Sequence, residues 1–394
     1  MKTKVLLKDI SSCICDGDWI ESKDQSIDGE IRLIQTGNIG IGRYLEKIKN
    51  AKYINVATFK RLKCTAVFAG DILVSRLPDP IGRACLLPKD IETAITAVDC
   101  TIIRLNQEKC VPMYFVYYTQ SQTYYMQLRQ YISGTTRNRI SRKNFEKICL
   151  ELPGIEFQQN IVSVLDKASE LIDLRKQQLA KMDRLIKSKF IAMFGDPVIN
   201  EKGWTQISIT NICKEIVDCI NKTAPQSDVV TPYKMIRTSN VKTGKISLDS
   251  IKYVDKITYE KWIRRSVPQR GDLILTREAP MGEVGIIDFD DRIFLGQRLM
   301  QYRCDTSLVN PVYLLHYMQG KGFQNQIERL GKGSTVKHLT VPDCYNLDVV
   351  TPPVHLQNHF AAFVDKVERQ KAIMQASLAK LEINYKALLQ QYFG

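Results

Sequence analysis

Apolar residues recur at alternating intervals of three and four over Gln158–Phe194, and again towards the end of the chain. The first stripe is broken only at Arg175 and Lys189, and the second only at Lys371. This spacing predicts two long helices of the coiled-coil type, each about 55 Å long if about 37 residues rise 1.5 Å apiece. The predicted seam residues are Ile161, Leu165, Ile172, Leu179, Met182, Ile186, Phe360, Val364, Val367, Met374, Leu378, Leu381 and Tyr385. A single stripe on so long a helix needs a partner, which is either the other helix or a helix of another protein.

The segments ahead of these helices have a different pattern. Short apolar runs separated by turn residues predict strands at Ile72–Ser75, Thr101–Leu105, Leu273–Thr276 and Gly285–Asp288. Helical runs are predicted at Tyr114–Tyr131 and Tyr313–Leu330. Each segment is therefore predicted to form a compact α+β domain.

The chain is a tandem duplication. Residues 112–195 align with 311–394 at a constant shift of 199 without a gap, so that GTTRNRIS (134–141) meets GSTVKHLT (333–340). Upstream, GDILVSR (70–76) meets GDLILTR (271–277) at a shift of 201, which indicates loops of unequal length.

Proline and glycine residues mark the boundaries between domains and helices. Pro153 precedes the first helix, and Gly195 with Pro197 ends it. The predicted organisation is a first domain at 1–152, a helix at 153–196, a second domain at 197–351 and a helix at 352–394.

Composition narrows the function classes. The net charge of +14, from 56 Lys and Arg against 42 Asp and Glu, favours a polyanion as partner, although a basic protein without a nucleic-acid role stays possible. No apolar run reaches the length of about 20 residues that spans a membrane, and the apolar patch near the N-terminus is too short for a signal peptide. We therefore expect a cytoplasmic protein with reduced thiols. His355 and His359 alone do not make a zinc site, so no metal is expected.

Candidate DNA contacts are basic residues near glycine and small hydroxyl residues, where the backbone can approach a phosphate closely. Arginine at the end of a strand is also suited to the guanine edge. The candidates are Arg76, Arg83, Arg137, Asn138, Arg139, Arg142 and Lys143 in the first domain, and Arg277, Arg298, Lys332, Ser334, Thr335, Lys337 and His338 in the second. The alternative is that these loops are ordinary turns with solvated charges, and that Arg76 and Arg277 are structural because both copies keep them.

Three sequence segments carry a resemblance to a known family. LPGIEFQQNIVSVLD with its copy TPPVHLQNHFAAFVD, the MFGDP…KGW junction and GSTVKHLTVPD resemble the specificity subunits of type I restriction-modification systems over the whole chain. The resemblance implies two tandem mixed α/β target-recognition domains, each reading one half of a split DNA sequence. It also implies that the two long helices form an antiparallel coiled coil with pseudo-two-fold symmetry, which serves as a spacer. Two modification subunits and the restriction subunits are the implied partners.

Catalysis is not expected in this chain. An adenine methyltransferase needs Asn or Asp, two prolines and an aromatic residue to hold a flipped base, whereas the nearest string is Thr351-Pro352-Pro353-Val354. GKGST (331–335) lacks the order of a phosphate-binding loop. The resemblance assigns S-adenosylmethionine, ATP and Mg²⁺ to the partner subunits. The competing hypotheses are a coiled-coil scaffold that joins two protein-binding domains, and a methyltransferase in its own right.

Overall fold

The computed structural model describes residues 3–134, 138–333 and 336–394, and the chain divides into two compact units. Unit 1 comprises the residues up to Lys176 together with Ala376–Gly394, and unit 2 comprises Gln177–Gln375. The helices Ile155–Phe194 and Val354–Phe393, here called long helix 1 and long helix 2, have 40 residues each. Each unit therefore contains one globular domain and a segment of both long helices.

The domain of unit 1 is built on two four-stranded sheets and a two-stranded ribbon. One sheet is antiparallel, in the order Ser11–Asp16, Cys100–Leu105, Ile72–Ser75, Ala84–Leu86. The other is mixed, in the order Lys52–Ile54, Ile31–Ile34, Ala94–Thr96, Ala66–Val67, and the ribbon pairs Thr3–Leu6 with Cys149–Leu152. The α-helices are Val56–Leu62, Pro112–Tyr118, Gln122–Tyr131 and Arg142–Phe145, and the 3-10 turns are Leu7–Ile10, Ser22–Asp24, Thr36–Asn38 and Ile48–Asn50.

The domain of unit 2 repeats this plan with one larger sheet. Its six strands are ordered Cys213–Asp218, Leu299–Cys304, Leu273–Arg277, Met281–Ile286, Gly244–Ile246, Val241–Lys242. A three-stranded sheet has the order Lys252–Tyr253, Tyr233–Ile236, Arg292–Leu295, and the ribbon pairs Thr205–Ser208 with Asp348–Thr351. The helices are Lys256–Trp262, Pro311–Gln319, Lys321–Leu330 and Val341–Tyr345, with 3-10 turns at Ile209–Asn211 and Thr238–Asn240.

A fully buried glutamine ties the start of each long helix to its domain. The Gln158 side chain accepts a hydrogen bond from the backbone N–H of Val111 (2.9 Å) and donates to the carbonyls of Pro153 (2.8 Å) and Lys109 (3.0 Å). Gln357 makes the same three contacts in unit 2, with the Asn310 N–H (2.8 Å) and the carbonyls of Pro352 (2.7 Å) and Leu308 (3.3 Å). Because every polar group of the amide is used, the first turn of each helix is fixed against its domain.

In unit 1 the two helix segments run in opposite directions. Lys176 pairs with Glu382 (2.9 Å), whereas Ile161 and Leu165, nearer the start of long helix 1, share a buried core with Leu389 and Phe393 of long helix 2. That core continues into the domain, where the ring of Phe393 packs edge-on against Tyr114 at 5.1 Å. The apolar stripes predicted from the sequence therefore join the helices to each other and to the domain.

The helix segments of unit 2 also run in opposite directions. The Lys371 ammonium contacts the Asp183 carboxylate at 2.6 Å, and Phe190 and Phe194 pack against Phe360 with centroid distances of 5.4 and 5.6 Å. Lys189, which interrupts the first stripe, lies over the ring of Phe363 at 5.7 Å. The prediction of two mixed α/β domains with paired, antiparallel long helices is confirmed.

The predicted seam residues differ in burial. Ile161, Leu165, Ile172, Ile186, Phe360, Val364 and Val367 are buried, whereas Leu179, Met182, Met374, Leu378, Leu381 and Tyr385 are half-buried. Four aromatic and aliphatic residues that the seam prediction omitted are also buried: Phe190, Phe194, Leu389 and Phe393. They lie near the C-terminal ends of the helices, where the partner surface is a domain as well as a helix.

Two local predictions are corrected by the structure. The helical runs Tyr114–Tyr131 and Tyr313–Leu330 are each broken in two, because Ser121 caps a new helix through its hydroxyl and Gly320 separates the other pair. The strand predicted at Gly285–Asp288 begins instead at Met281 and ends at Ile286.

Candidate nucleic-acid interface

The repeated Gly-Asp element that precedes an inner strand is structural. Gly70 and Gly271 have φ angles of 89° and 91°, which suit glycine, and the following aspartates are buried. Asp71 accepts two hydrogen bonds from Arg104, at 2.9 and 3.0 Å, and Asp272 accepts two from Arg303, at 2.9 and 2.7 Å. Two copies of this element are therefore needed because each domain has its own sheet to hold together.

In unit 2 a hairpin gathers several predicted site residues. Lys332 and His338 exchange backbone hydrogen bonds of 2.9 and 2.8 Å, and Gly333 between them has a φ of 107°. A Cβ at Gly333 would lie 2.4 Å from the Val336 carbonyl, so the turn requires glycine. Lys332, Lys337 and His338 are exposed, whereas Ser334 and Thr335 lie outside the described residues.

The end of the strand Leu273–Arg277 lies beside this hairpin. Glu278 forms an isolated bridge with His338, and the Leu339 N–H donates to the Arg277 carbonyl at 2.9 Å. Arg298 is exposed and pairs with Glu278 at 3.2 Å, and its carbonyl accepts from the Arg277 N–H at 2.8 Å. The structure therefore brings the exposed Arg298, Lys332 and His338 beside the half-buried Arg277, whose guanidinium donates to the Leu339 carbonyl at 3.3 Å. Sequence reasoning missed two carboxylates of this surface, Glu278 and Asp343, the latter 3.6 Å from the Lys332 ammonium.

The corresponding hairpin of unit 1 is closed by a single pair of residues. Ser133 and Arg139 exchange backbone hydrogen bonds of 3.0 and 2.9 Å, and Asn138 and Arg139 are exposed. Lys143 is exposed on the following short helix, where Arg142 is half-buried and pairs with Glu146 at 3.3 Å. Arg137 lies outside the described residues. A DNA contact by any of these residues stays a prediction.

Arg76 and Arg83 are buried. Arg76 donates to the Val98 carbonyl (2.5 Å) and lies 3.5 Å from the Asp16 carboxylate. The guanidinium of Arg83 donates to four backbone carbonyls, and its burial lowers the pKa of Arg83 below the ordinary value. Direct DNA contact by these two residues stays a prediction, but their burial favours a structural role. Arg83 already donates to four carbonyls, whereas the Arg76 side chain makes one hydrogen bond and its Nε has no partner among the described residues.

Within the described ranges, no three His, Cys, Asp or Glu residues are placed to hold a metal ion. No described helix is both long enough and apolar enough to cross a membrane. All eleven cysteines are free thiols, and desolvation by burial raises the pKa of Cys64 and Cys344 to about 11.

Each unit thus joins a domain with an exposed basic hairpin to segments of both long helices, an arrangement that suits a protein with two binding domains. Comparison with known families is more specific, because the model of the type I restriction modification DNA specificity domain matches residues 3–184 and 201–383. The chain belongs to this family, and it is a DNA specificity subunit of the type I restriction-modification class. The resemblance read from the sequence is thus confirmed.

Individual relatives are distant in sequence but similar along their length. The chain is 23% identical over 401 residues to the type I restriction enzyme MjaX specificity subunit of Methanocaldococcus jannaschii, a provisional name for that protein. The alignment covers 96% of this chain and 90% of that protein. It is 21% identical to the MjaVIII specificity subunit of the same organism, covering 72% and 70% of the two chains. The solved S subunit of a type I restriction-modification system from M. genitalium is similar in fold, with a TM-score of 0.58, 12% identity and coverage of 100% and 96%.

Proposed function

We propose that each domain reads one half of a bipartite DNA sequence and that the two long helices set the unspecified gap between the halves. The single observation that carries this proposal is the repeated arrangement of a domain bearing an exposed basic hairpin and fixed to a long helix by a buried glutamine. Since the two domains differ in sequence, the two half-sites should differ as well. The net charge of +14 supports binding to a polyanion.

The helices also present a surface for partner proteins. In unit 1, Phe157, Val164, Leu171 and Leu174 leave between 39% and 55% of their surface exposed on long helix 1. The first three recur every seven residues, so they form an apolar stripe separate from the buried one. This stripe supports docking of a modification subunit, and two such subunits with the restriction subunits would complete the enzyme.

The chain would not catalyse methyl transfer or DNA cleavage itself. The segment Thr351-Pro352-Pro353-Val354 is used as the passage from a strand into long helix 2, and Thr351 donates its hydroxyl to the Val349 carbonyl at 3.1 Å. S-adenosylmethionine, ATP and Mg²⁺ would be bound by the partner subunits in the cytoplasm.

The scaffold hypothesis predicts that the chain binds DNA without sequence preference. A gel shift of the chain with a modification subunit at two salt concentrations distinguishes the two, because selective retention at higher salt requires base contacts.

The gap is tested by lengthening the helices. Inserting four residues within 181–188 of long helix 1 adds about 6 Å, which corresponds to one or two base pairs at about 3.4 Å each. Methylome sequencing of a host carrying the system should show the same half-sites with a longer gap. A matched control replaces the exposed residues Lys181, Arg184 and Ser188 with alanine without changing the length, and should keep the native gap. An unchanged gap in the insertion variant would remove the spacer role.

A further inference from the structure

Arg83 connects two turns of unit 1. Its Nε donates to the Ile39 carbonyl at 2.7 Å, and its Nη2 donates to the Thr36 carbonyl at 2.9 Å. Its Nη1 donates to the carbonyls of Pro78 and Pro80 at 2.7 and 3.0 Å. One side chain therefore holds the turn at 36–39, here called the inner turn, to the turn at 77–82, here called the tip turn.

Only an arginine can make this set of contacts. The guanidinium is planar and directs five N–H donors in fixed directions, whereas a lysine ammonium is one compact group with three. Within the described residues, Arg83 forms no salt bridge, and its charge is surrounded by carbonyl dipoles, with the Asp79 carboxylate adding a favourable electrostatic interaction. Replacing it would leave several carbonyls without a donor and would free the tip turn from the inner turn.

The tip turn presents one unpaired carboxylate. Pro78, Asp79 and Pro80 are all exposed, and the prolines on either side of Asp79 restrict its backbone. Asp79 forms no ion pair with any residue that the structure describes, although its charge acts on Arg83 and on Tyr125. A carboxylate is repelled by phosphates and accepts hydrogen bonds only, so on DNA its suitable partner is the amino group of a base, as when Asp accepts from cytosine N4.

A contact within unit 1 joins the tip turn to the helix that precedes the basic hairpin. The Tyr124 hydroxyl donates to the Gly82 carbonyl at 2.7 Å, and Tyr124 belongs to the helix Gln122–Tyr131. That helix leads directly into the hairpin closed by Ser133 and Arg139. The exposed carboxylate and the exposed basic residues are thus carried by connected segments.

Unit 2 holds its equivalent turn differently. Its segment from Arg277 to Gly282 is one residue shorter than the segment from Arg76 to Gly82, and Glu283 occupies the position of Arg83. The turn is joined to the Thr238–Asn240 turn by one bond, from the Thr238 hydroxyl to the Ala279 carbonyl at 3.0 Å. The arginine that holds the tip turn to the inner turn is therefore found in the first domain and not in the second.

We propose that Asp79 reads an amino-bearing base in the half-site bound by the first domain, and that Arg83 is the positioning residue that fixes Asp79 for this contact. The inference rests on the proposed function, and it adds the chemistry of one recognised position. Arg83, predicted from the sequence as a DNA contact, acts here through another residue.

The test measures base preference in the assembled complex with two modification subunits. A duplex library randomised over both half-sites is methylated by the wild type, by D79N, D79A and R83K, and by the double variant D79N/R83K, and modified positions are read by sequencing. D79N and D79A should lower discrimination at one base position of one half-site by about five- to a hundredfold. R83K should relax the same position, and the double variant should be no more relaxed than D79N alone, since Arg83 acts through Asp79.

A matched variant in the other unit is T238V, which removes the single hydroxyl bond there. It should alter base preference only in the half-site that D79N leaves unchanged.

Unchanged base preference in D79N and D79A would overturn the proposed role of Asp79 in reading a base. If R83K slows methylation of all sequences equally, with a lower melting temperature and no change in preference, Arg83 is merely structural and the positioning role is wrong. A wild-type complex without any bipartite preference would instead refute the proposed function.

Discussion

The two units share the contacts that attach each domain to its long helix, and they differ in the contacts that hold the exposed turns. The three contacts of Gln158 recur for Gln357, and the hydroxyl of Tyr114 donates to a ribbon carbonyl as that of Tyr313 does, at 2.9 and 2.6 Å. By contrast, Arg83 corresponds to Glu283. The duplication has therefore kept the contacts that attach a domain to its spacer, while the turn-holding contacts have diverged.

A second difference lies between the domain and the helix that packs on it. In unit 1 the Tyr385 hydroxyl donates to the Gln120 side chain at 2.9 Å. The corresponding residue in unit 2 is Ile186, which has no hydroxyl, and Gln319 in the position of Gln120 is exposed beside a groove of about 1040 Å³. Contacts of this kind can change without loss of the fold because the apolar packing around them is retained.

The glutamine contacts should give the largest effect on stability. Q158L and Q357L each leave a buried N–H and two carbonyls without partners, so each should lower the local free energy of unfolding by about 3 kcal/mol. Hydrogen exchange of peptides from each unit measures the loss, and Q178L, at an exposed position of long helix 1, should change little. A much smaller loss of unfolding free energy in one unit would show that the two glutamines do not contribute equally to attaching their domains.

The sequence predicted these shared features better than the divergent ones. The repeat, the long helices and most inner strands follow from periodicity, which depends on neighbours in the chain. In the sequence Lys371 is only an interruption of the stripe, and the burial of Arg83 is not predicted, because the partners of both residues depend on tertiary structure. Lys371 is 8% exposed and contacts Asp183, which lies 188 residues away in the chain. A buried arginine and a solvated DNA-binding arginine look the same in a sequence.

The buried aspartates should give the next largest effect. D71N and D272N weaken the pairing with Arg104 and Arg303, and each should cost about 2 kcal/mol, less than a fully buried pair because the arginines are partly exposed. Asp272 should lose more, since it also accepts from the Gln301 amide at 2.9 Å. Urea denaturation followed by segment-resolved hydrogen exchange ranks the two. An equal loss would show that the extra amide contact in unit 2 contributes nothing.

A buried histidine in unit 2 should add a loss of stability in acid that unit 1, with Tyr117 in its place, does not have. His316 stands where unit 1 has Tyr117, and burial lowers the pKa of His316 to about 4, with Glu368 opposing this and Lys371 and Lys187 adding to it. The unfolded chain, with an ordinary pKa near 6.5, therefore binds a proton that the folded unit does not between pH 6.5 and 4. Stability should be complete above about pH 7.5 and fall by about 2 kcal/mol between pH 7 and 5.

The H316Y variant isolates this effect by installing the residue of unit 1. Subtracting its unfolding free energies from those of the wild type at each pH removes the contribution of other titrating groups, such as Glu368. The difference should grow as the pH falls from 6.5 towards 4 and should be flat above about 7.5. A difference that is flat throughout would mean that His316 is protonated equally in the folded and unfolded chains.

The smallest effect is expected from the hydroxyl that unit 1 has and unit 2 lacks. Y385F removes the bond to Gln120 but keeps the ring, so unit 1 should lose about 1 kcal/mol and unit 2 should be unaffected. Burial raises the pKa of Tyr385 to about 12, so the hydroxyl remains protonated and the loss should be the same from pH 6 to 9. K386Q, at an exposed position of the same helix, provides the comparison for a general effect of substitution there. Exchange protection of the peptide containing Gln120 is the decisive readout, because only the loss of this particular bond lowers protection at 120 while leaving the Phe393 packing intact.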